Sequence, residues 1–427
     1  MADTDYATTD FFRDKDLFQD PSAYYEWIRA QGPVWRGPKR GVVFVSGFDE
    51  AVAVYRDAER FSSCNTVAGP FFPWPVPLEG DDISAIIEEH RGALPFSDQL
   101  PSFDPPHHTE QRGLVMRLIT PKRLKENEDF MLRLADEVFA EFIDRGQCEF
   151  VHDYALPFTL LVVADLLGVP EDDRDEFRAR LTHKEPQSTQ KMEHKPLEFL
   201  YEQFTAYIED RRREPRDDVM TGLATATFPD GTLPPVHDVM RIAANLFSAG
   251  GETTARLMST SFRILGDRPD LQAALRDDPT LIPAFMEEAL RLEPPIKGEF
   301  RLSKVAVTVG EMDLAPGTSV FMLNAAANRD PRQFDDPLEF KLDRANGRQH
   351  IGFGHGIHSC AGAPLARAET KITIEKFLAL TDDIRISEAH HGPADARRYE
   401  YDPTYMLRGL RELHLEFTPA DRERGRA

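Results

Sequence analysis

Cysteine is nearly missing from this chain. Three occur among 427 residues, at positions 64, 148 and 360, too few and too far apart for a disulfide framework. That usage points to the cytoplasm, with Cys64 and Cys148 as inert thiols. Cationic charge is short as well: 51 Lys and Arg stand against 73 Asp and Glu, a net charge of -22. Nucleic-acid binding needs clustered Lys and Arg to displace phosphate counterions, so that class is excluded, and anionic membrane surfaces are disfavoured. No stretch reaches the ~18 consecutive apolar residues of a membrane-spanning helix. The opening residues, MADTDYATTDFFRDKDLFQDP, are acidic and have no apolar centre, so no signal peptide or membrane anchor is expected. Internal repeats are lacking too. What the chain does have is length enough to enclose a cofactor completely, and a generic ~150 residues per domain would allow two or three domains.

The most informative stretch is residues 350–369, HIGFGHGIHSCAGAPLARAE. Gly352, Gly354 and Gly356 would weaken any helix, so this part reads as a loop. A helical run follows from Leu365 to Leu380, with Pro364 tolerated in its first turn. Cys360 therefore sits just before a helix N-terminus, where free N–H groups and the helix dipole favour thiolate over thiol. Three readings remain open on this loop alone: a thiolate ligand for a flat cofactor, a zinc site from His350, His355, His358 and Cys360, or a structural cysteine.

Earlier in the chain, a short helix is expected over 21–31, then strands around Val34 and over 41–45, then a helix to Arg56 capped by Asp49. Residues 64–104 are irregular and carry Phe71, Phe72, Trp74, Phe96 and Phe103, either as satellite core or as the wall of an apolar pocket. After Pro105-Pro106 a helix can run to Leu118. His108 and Arg112 share one of its faces, as a solvated face or as an anion site. Residues 120–235 read as mostly helical, with a Gly-Pro stop at 168–170 and a polar loop over 185–194 that would suit a substrate entrance. A long helix spans 237–266, and Gly250-Gly251 in its middle cost roughly 1 kcal/mol each against alanine. Close approach of a ligand would explain them, and so would a packing kink. Glu252 and Thr253 add an ionisable group and a hydroxyl there. Glu288 and Arg291 form an i,i+3 pair that alone means little. Strands are expected over 305–309, 319–323 and at Leu413, Leu415 and Phe417, while 1–20 and 419–427 read as flexible.

The order F-x-x-G-x-H-x-C-x-G, here Phe353, Gly356, His358, Cys360 and Gly362, resembles the haem loop of the cytochrome P-450 family. That resemblance implies that Cys360 ligates the iron of haem b, as a thiolate that pushes electron density toward O–O cleavage. Other elements of the family occur in its order along nearly the whole chain. They imply propionate contacts from His108, Arg112 and Arg301, and an acid–alcohol pair, Glu252 and Thr253, that delivers protons to dioxygen. They further imply a structural network of Glu288, Arg291 and Arg344. The family often has Asp where Glu252 stands, so the arm is longer here. The implied fold is one mainly α domain over 1–427 with small β-sheets, the haem lying between the long central helix and the helix after the Cys loop. Phe71, Phe72, Trp74, Phe96, Leu246, Phe247, Ala249 and Ile296 would line the substrate pocket. The implied activity is a monooxygenase that hydroxylates a small-to-medium apolar substrate. Its electrons would come from a ferredoxin and a flavoprotein ferredoxin reductase, since no reductase sequence is fused within these residues. A peroxide-driven enzyme and a haem sensor are the alternatives. Arg112, Arg117, Lys122, Arg123, Arg367 and Lys371 are expected to form a basic docking patch for the ferredoxin, Lys297 reads as a solvated lysine or as a partner for a substrate carboxylate, and the protein is expected to be a monomer.

Overall fold

The computed structural model describes residues 5–170, 172–174, 198–228 and 230–421; the polar loop expected over 185–194 lies outside them. The architecture is mainly helical with small sheets, as expected. Its axis is the helix Val236–Asp267, which buries Val239, Ile242, Ala243, Phe247, Leu257, Phe262 and Leu265. It packs against the helices Leu156–Leu167, Glu198–Arg213, Ile282–Leu292 and Ala363–Leu380.

The glycine pair in this helix serves packing. A Cβ on Gly250 would come within 2.9 Å of Val163 Cγ2, and one on Gly251 within 2.6 Å of Leu160 Cδ2. The two glycines let Leu156–Leu167 press onto the long helix, as the packing alternative expects.

Five short strands form a second layer, in the order Val34–Arg36, Val43–Val45, Ser319–Met322, Glu299–Ser303 and Phe61–Ser62. Val43–Val45 runs parallel to Ser319–Met322. Its outer face carries an aromatic cluster of Phe11, Phe12, Tyr24, Phe44, Phe300, Phe321 and Tyr405. Phe11 and Phe12 are 2% and 3% exposed, and each such burial is worth roughly 1.5–3 kcal/mol. The expected flexibility over 1–20 is therefore corrected from residue 5 on. Asp14 caps the helix Lys15–Gln19 by accepting from the N–H groups of Asp16 and Leu17. The helix Phe48–Arg56 starts from Gly47 with no side-chain cap, and Asp49 lies in its first turn instead. At the other end the strand His414–Pro419 pairs with Gln147–Glu149 and Thr381–Ile386. Pro419 thus belongs to a sheet, and Ala420 N–H donates to Leu380 O.

Candidate active site

The Cys loop is built from glycine geometry and one backbone bond. Gly354 and Gly356 have φ of 67° and 70°, open to glycine at no steric penalty. A Cβ on Gly356 would also stand 2.3 Å from Tyr55 O. Cys360 N–H donates to Phe353 O at 2.9 Å, which closes the loop. The helix Ala363–Leu380 begins just beyond, with Pro364 in its first turn. Gly362 and Ala363 N–H groups bond the sulfur and pull its pKa down, as the helix start leads one to expect, and Arg112 does the same. Burial pushes the thiol up and outweighs them. The residue as a whole is exposed.

Around this sulfur the structure gathers His108, Arg112, Arg301 and His358. His108 is buried, and its ring lies 4.1 Å from that of His358. Neither nitrogen of His108 has a partner, nor does Nε2 of His358. Burial, helped by nearby arginines, holds His108 at about 4 and His358 at about 2, so both are neutral near pH 7. Arg112 Nη2 donates to Ser359 O at 2.7 Å. Arg301 Nη1 donates to Thr66 Oγ1 and Phe300 O, each at 2.7 Å. Buried nitrogens without partners are rare and costly. Set beside two guanidinium groups they suit a ligand that carries carboxylates, and a sulfur fits soft iron. The residues present therefore fit a haem, with Cys360 toward the metal and the His and Arg groups toward its propionates.

The zinc reading fares differently. His350 Nε2 is bonded to Glu287 Oε2 at 2.9 Å, and His355 Nε2 accepts from Arg56 Nε at 2.9 Å. Among the described residues no three His, Cys, Asp or Glu side chains converge to hold a metal ion.

In the middle of the long helix Ala249 and Glu252 are exposed and Leu246 and Thr253 half-buried. Thr253 Oγ1 donates to Ala249 O at 2.7 Å, the usual back-bond of a helical threonine. Glu252 Oε1 instead accepts from Arg256 Nη2 at 2.5 Å. The two members of the expected acid–alcohol pair are thus adjacent, each engaged with another group.

Glu288 and Arg291 are buried together, 1% and 0% exposed. Arg291 Nε and Nη2 donate to the two Glu288 oxygens, each at 2.8 Å, and Arg344 Nε reaches Glu288 Oε1 at 2.7 Å. The expected trio is brought together. Its remaining donors hold the segment before the Cys loop: Arg291 bonds the carbonyls of Asn328, Pro337 and Glu339.

The expected pocket lining is only partly gathered. Phe71, half-buried, packs on Phe12, Phe300 and Tyr405 at the edge of the aromatic cluster, and Phe247 is fully buried against Phe204. Phe72 and Trp74 pack on a satellite cluster with Cys64, Ile83 and Leu302. Phe96 is half-buried with φ 59°, and Phe103 lies against the His107 ring at 4.2 Å. Ile296 bridges to Leu407. Lys297 is not solvated: it is 1% exposed and donates to Thr404 O at 2.6 Å over the Phe18 ring.

Most cations of the expected basic patch have partners. Lys122 and Arg123 share Glu126, Lys371 pairs with Glu375, and Arg367 is bidentate to buried Glu287. Sequence reasoning missed Glu287, Thr66 and Glu369. Only Glu369, nine residues after Cys360, carries a sequence signal: an acid on an apolar helix face. It is fully buried with neither oxygen bonded, and burial raises its pKa well above the ordinary value.

The Cytochrome P450 family model matches residues 177–380. Cytochrome P450 144 of Mycobacterium tuberculosis is 34% identical over 385 residues, 87% of this chain and 85% of its own. The cytochrome P450 monooxygenase PikC of Streptomyces venezuelae is 30% identical over 96% of this chain and 94% of its own. Among solved structures, Mycobacterium marinum cytochrome P450 CYP150A6 in the substrate-free form superposes with a TM-score of 0.93 at 52% identity, over 97% of this chain and 100% of that one.

Proposed function

Because the chain belongs to the cytochrome P450 family, whose members are haem b monooxygenases, we propose that it hydroxylates a small-to-medium apolar substrate at a site lined by Cys360 and the accessible stripe of the long helix. When bound, the haem supplies activation of dioxygen, one atom of which enters the substrate while the other leaves as water. Cys360 is the residue that holds the iron, steadied by the N–H groups of Gly362 and Ala363 and by Phe353 O. His108, Arg112, Arg301 and His358 hold the propionates. Glu252 carries protons from solvent, and the Thr253 hydroxyl passes them inward. Leu246, Ala249 and Ile296 exclude water and hold the apolar body of the substrate.

We assign the electron supply to a ferredoxin and its flavoprotein reductase, working in the cytoplasm and docking on the face of Arg112 and Arg117. Charges act there only within the ~8 Å Debye length of physiological salt, so the local patch, not the net charge, governs docking. Charge reversal at Arg117 should slow reduction by ferredoxin and leave dithionite reduction unchanged; equal slowing of both sinks this surface.

The single observation that carries the reading is an exposed cysteine at a helix start, beside buried nitrogens without partners. The test is the reduced, carbon-monoxide-treated protein. It should show the Soret maximum for which the family is named, and Cys360→Ser should abolish that band. Retention of the band in the variant would overturn the ligand assignment. A ligand panel scored by Soret shift then selects the substrate class, with apolar compounds expected to give the largest shifts.

A further inference from the structure

The acid Glu252 does not stand alone. Arg256, one helical turn on, is 9% exposed and divides its guanidinium between two carboxylates. Nη2 holds Glu252 Oε1 at 2.5 Å and Nη1 holds Asp402 Oδ2. Asp402 lies in a hairpin near the C-terminus, in which Asp402 N–H donates to Gly409 O at 3.0 Å and Tyr401 bridges to Leu410. The hairpin is shaped around the guanidinium: a Cβ on Gly409 would stand 2.0 Å from Arg256 Nη1. It is also tied to the turn before Arg301. Lys297 N–H donates to Met406 O at 2.7 Å and Arg408 N–H to Pro295 O at 2.8 Å, and Lys297 Nζ reaches Thr404 O.

We infer that Arg256 is a positioning residue for proton delivery, which fixes the carboxylate of Glu252 on the exposed stretch of the long helix and is itself held in place by Asp402 of the C-terminal hairpin. The inference rests on the reading of Glu252 as the proton-carrying acid. Its physical basis is geometry. Arg256 is buried, so leaving Nη1 without its carboxylate would strand a charge, and the guanidinium would turn to serve one acid at the expense of the other. A planar fork holds two carboxylates in fixed directions, and a lysine ammonium does not. Because Arg256 is held by Asp402, the placement of the acid depends on a segment over a hundred residues away in sequence.

The test uses the haem-loaded, full-length protein with hydrogen peroxide as oxidant and guaiacol as electron donor, so neither the natural substrate nor a redox partner is needed. Peroxide is reduced to water, one electron coming from each of two guaiacol molecules, and its leaving oxygen must take up a proton. The variants are Glu252→Gln, Arg256→Gln, Arg256→Lys, Asp402→Asn and the double variant Arg256→Gln/Asp402→Asn. Expected are a loss of at least threefold in rate and a rise in solvent isotope effect for Glu252→Gln and Arg256→Gln. Arg256→Lys should recover part of the loss. Asp402→Asn should show a smaller loss, and the double variant should be no slower than Arg256→Gln alone. Unfolding midpoints give a readout apart from turnover: the shift caused by Asp402→Asn should vanish in the Arg256→Gln background. If Arg256→Gln lowers only the unfolding midpoint and leaves rate and isotope effect unchanged while Glu252→Gln alters them, the inference fails and the reading of Glu252 stands. If Glu252→Gln alters neither, that reading fails and the inference with it. Independent, additive effects at 256 and 402 also overturn it.

Discussion

Replacing Arg291 by Met is the perturbation whose size the structure defines best. The side chain is 0% exposed and offers donors to five acceptors: both oxygens of Glu288 and the carbonyls of Asn328, Pro337 and Glu339. Methionine fills much of the volume and meets none of them. Breaking a buried ion pair costs about 3–5 kcal/mol, and the buried Asn328 carbonyl left without this donor adds about 1–3 kcal/mol; Glu339 O keeps the donor Arg344 Nη2. The low end of that sum already approaches the smallest stabilities of whole proteins, about 5 kcal/mol. Arg291→Met should therefore accumulate poorly and unfold at much lower urea than its parent, by far-UV circular dichroism and tryptophan fluorescence. Arg291→Lys should fail nearly as badly, since a single ammonium cannot span acceptors on three sides. Glu288→Gln keeps the shape and some acceptors and should fall between. A stability for Arg291→Met within about 1 kcal/mol of the parent would refute this account of the network.

Glu369 is buried without a bond, and burial raises its pKa. The folded state therefore binds the proton more tightly than the unfolded one, and the contribution is fully present below the unfolded pKa and lost as pH rises through the folded one. Glu369→Gln should be more stable than the parent near pH 7 and no more stable near pH 4; parallel curves of midpoint against pH would contradict this. Lys297 has its pKa lowered well below the ordinary value by burial, so stability falls as pH drops from the unfolded pKa of ~10.4 toward the folded one. The midpoint of Lys297→Met should accordingly gain on its parent between pH 10 and pH 7, and a constant difference would dismiss the idea. Gly356→Ala puts a Cβ 2.3 Å from Tyr55 O at a φ of 70°; it should weaken haem retention in a dialysis assay far more than Gly352→Ala, whose φ is not positive, and equal retention would show that the loop gives way there.

At 350–362 the loop, the helix start and the thiol were legible from glycine, proline and cysteine alone, while the haem assignment came only through the resemblance. The Glu288–Arg291–Arg344 trio was legible only through the resemblance, since an i,i+3 pair says nothing of burial. Where reading the sequence went astray, the deciding contact lay far along the chain. Gly250 and Gly251 face Val163 and Leu160, so no local pattern distinguishes a ligand's approach from a neighbouring helix. Phe71 was assigned to the pocket from aromatic richness, yet its partners are Phe12, Phe300 and Tyr405. Lys297, flanked by Pro-Pro and Gly, reads as a surface turn until Phe18 and Thr404 close over it. The Arg256 clamp could have been half suspected from the i,i+4 spacing to Glu252; nothing local announces Asp402.

The parallel pairing of Val43–Val45 with Ser319–Met322 sets a timetable for the chain as it leaves the ribosome. The second strand of the sheet is made early and its inner neighbour only after most of the polypeptide has emerged, a wait on the order of 15–60 s at ~5–20 residues per second. Through that interval Val43, Phe44 and Val45 have an open edge and apolar side chains with nowhere to go. Nascent-chain aggregation should therefore be most acute for ribosome-bound fragments that stop short of residue 320, and should ease abruptly once Met322 is free of the exit tunnel.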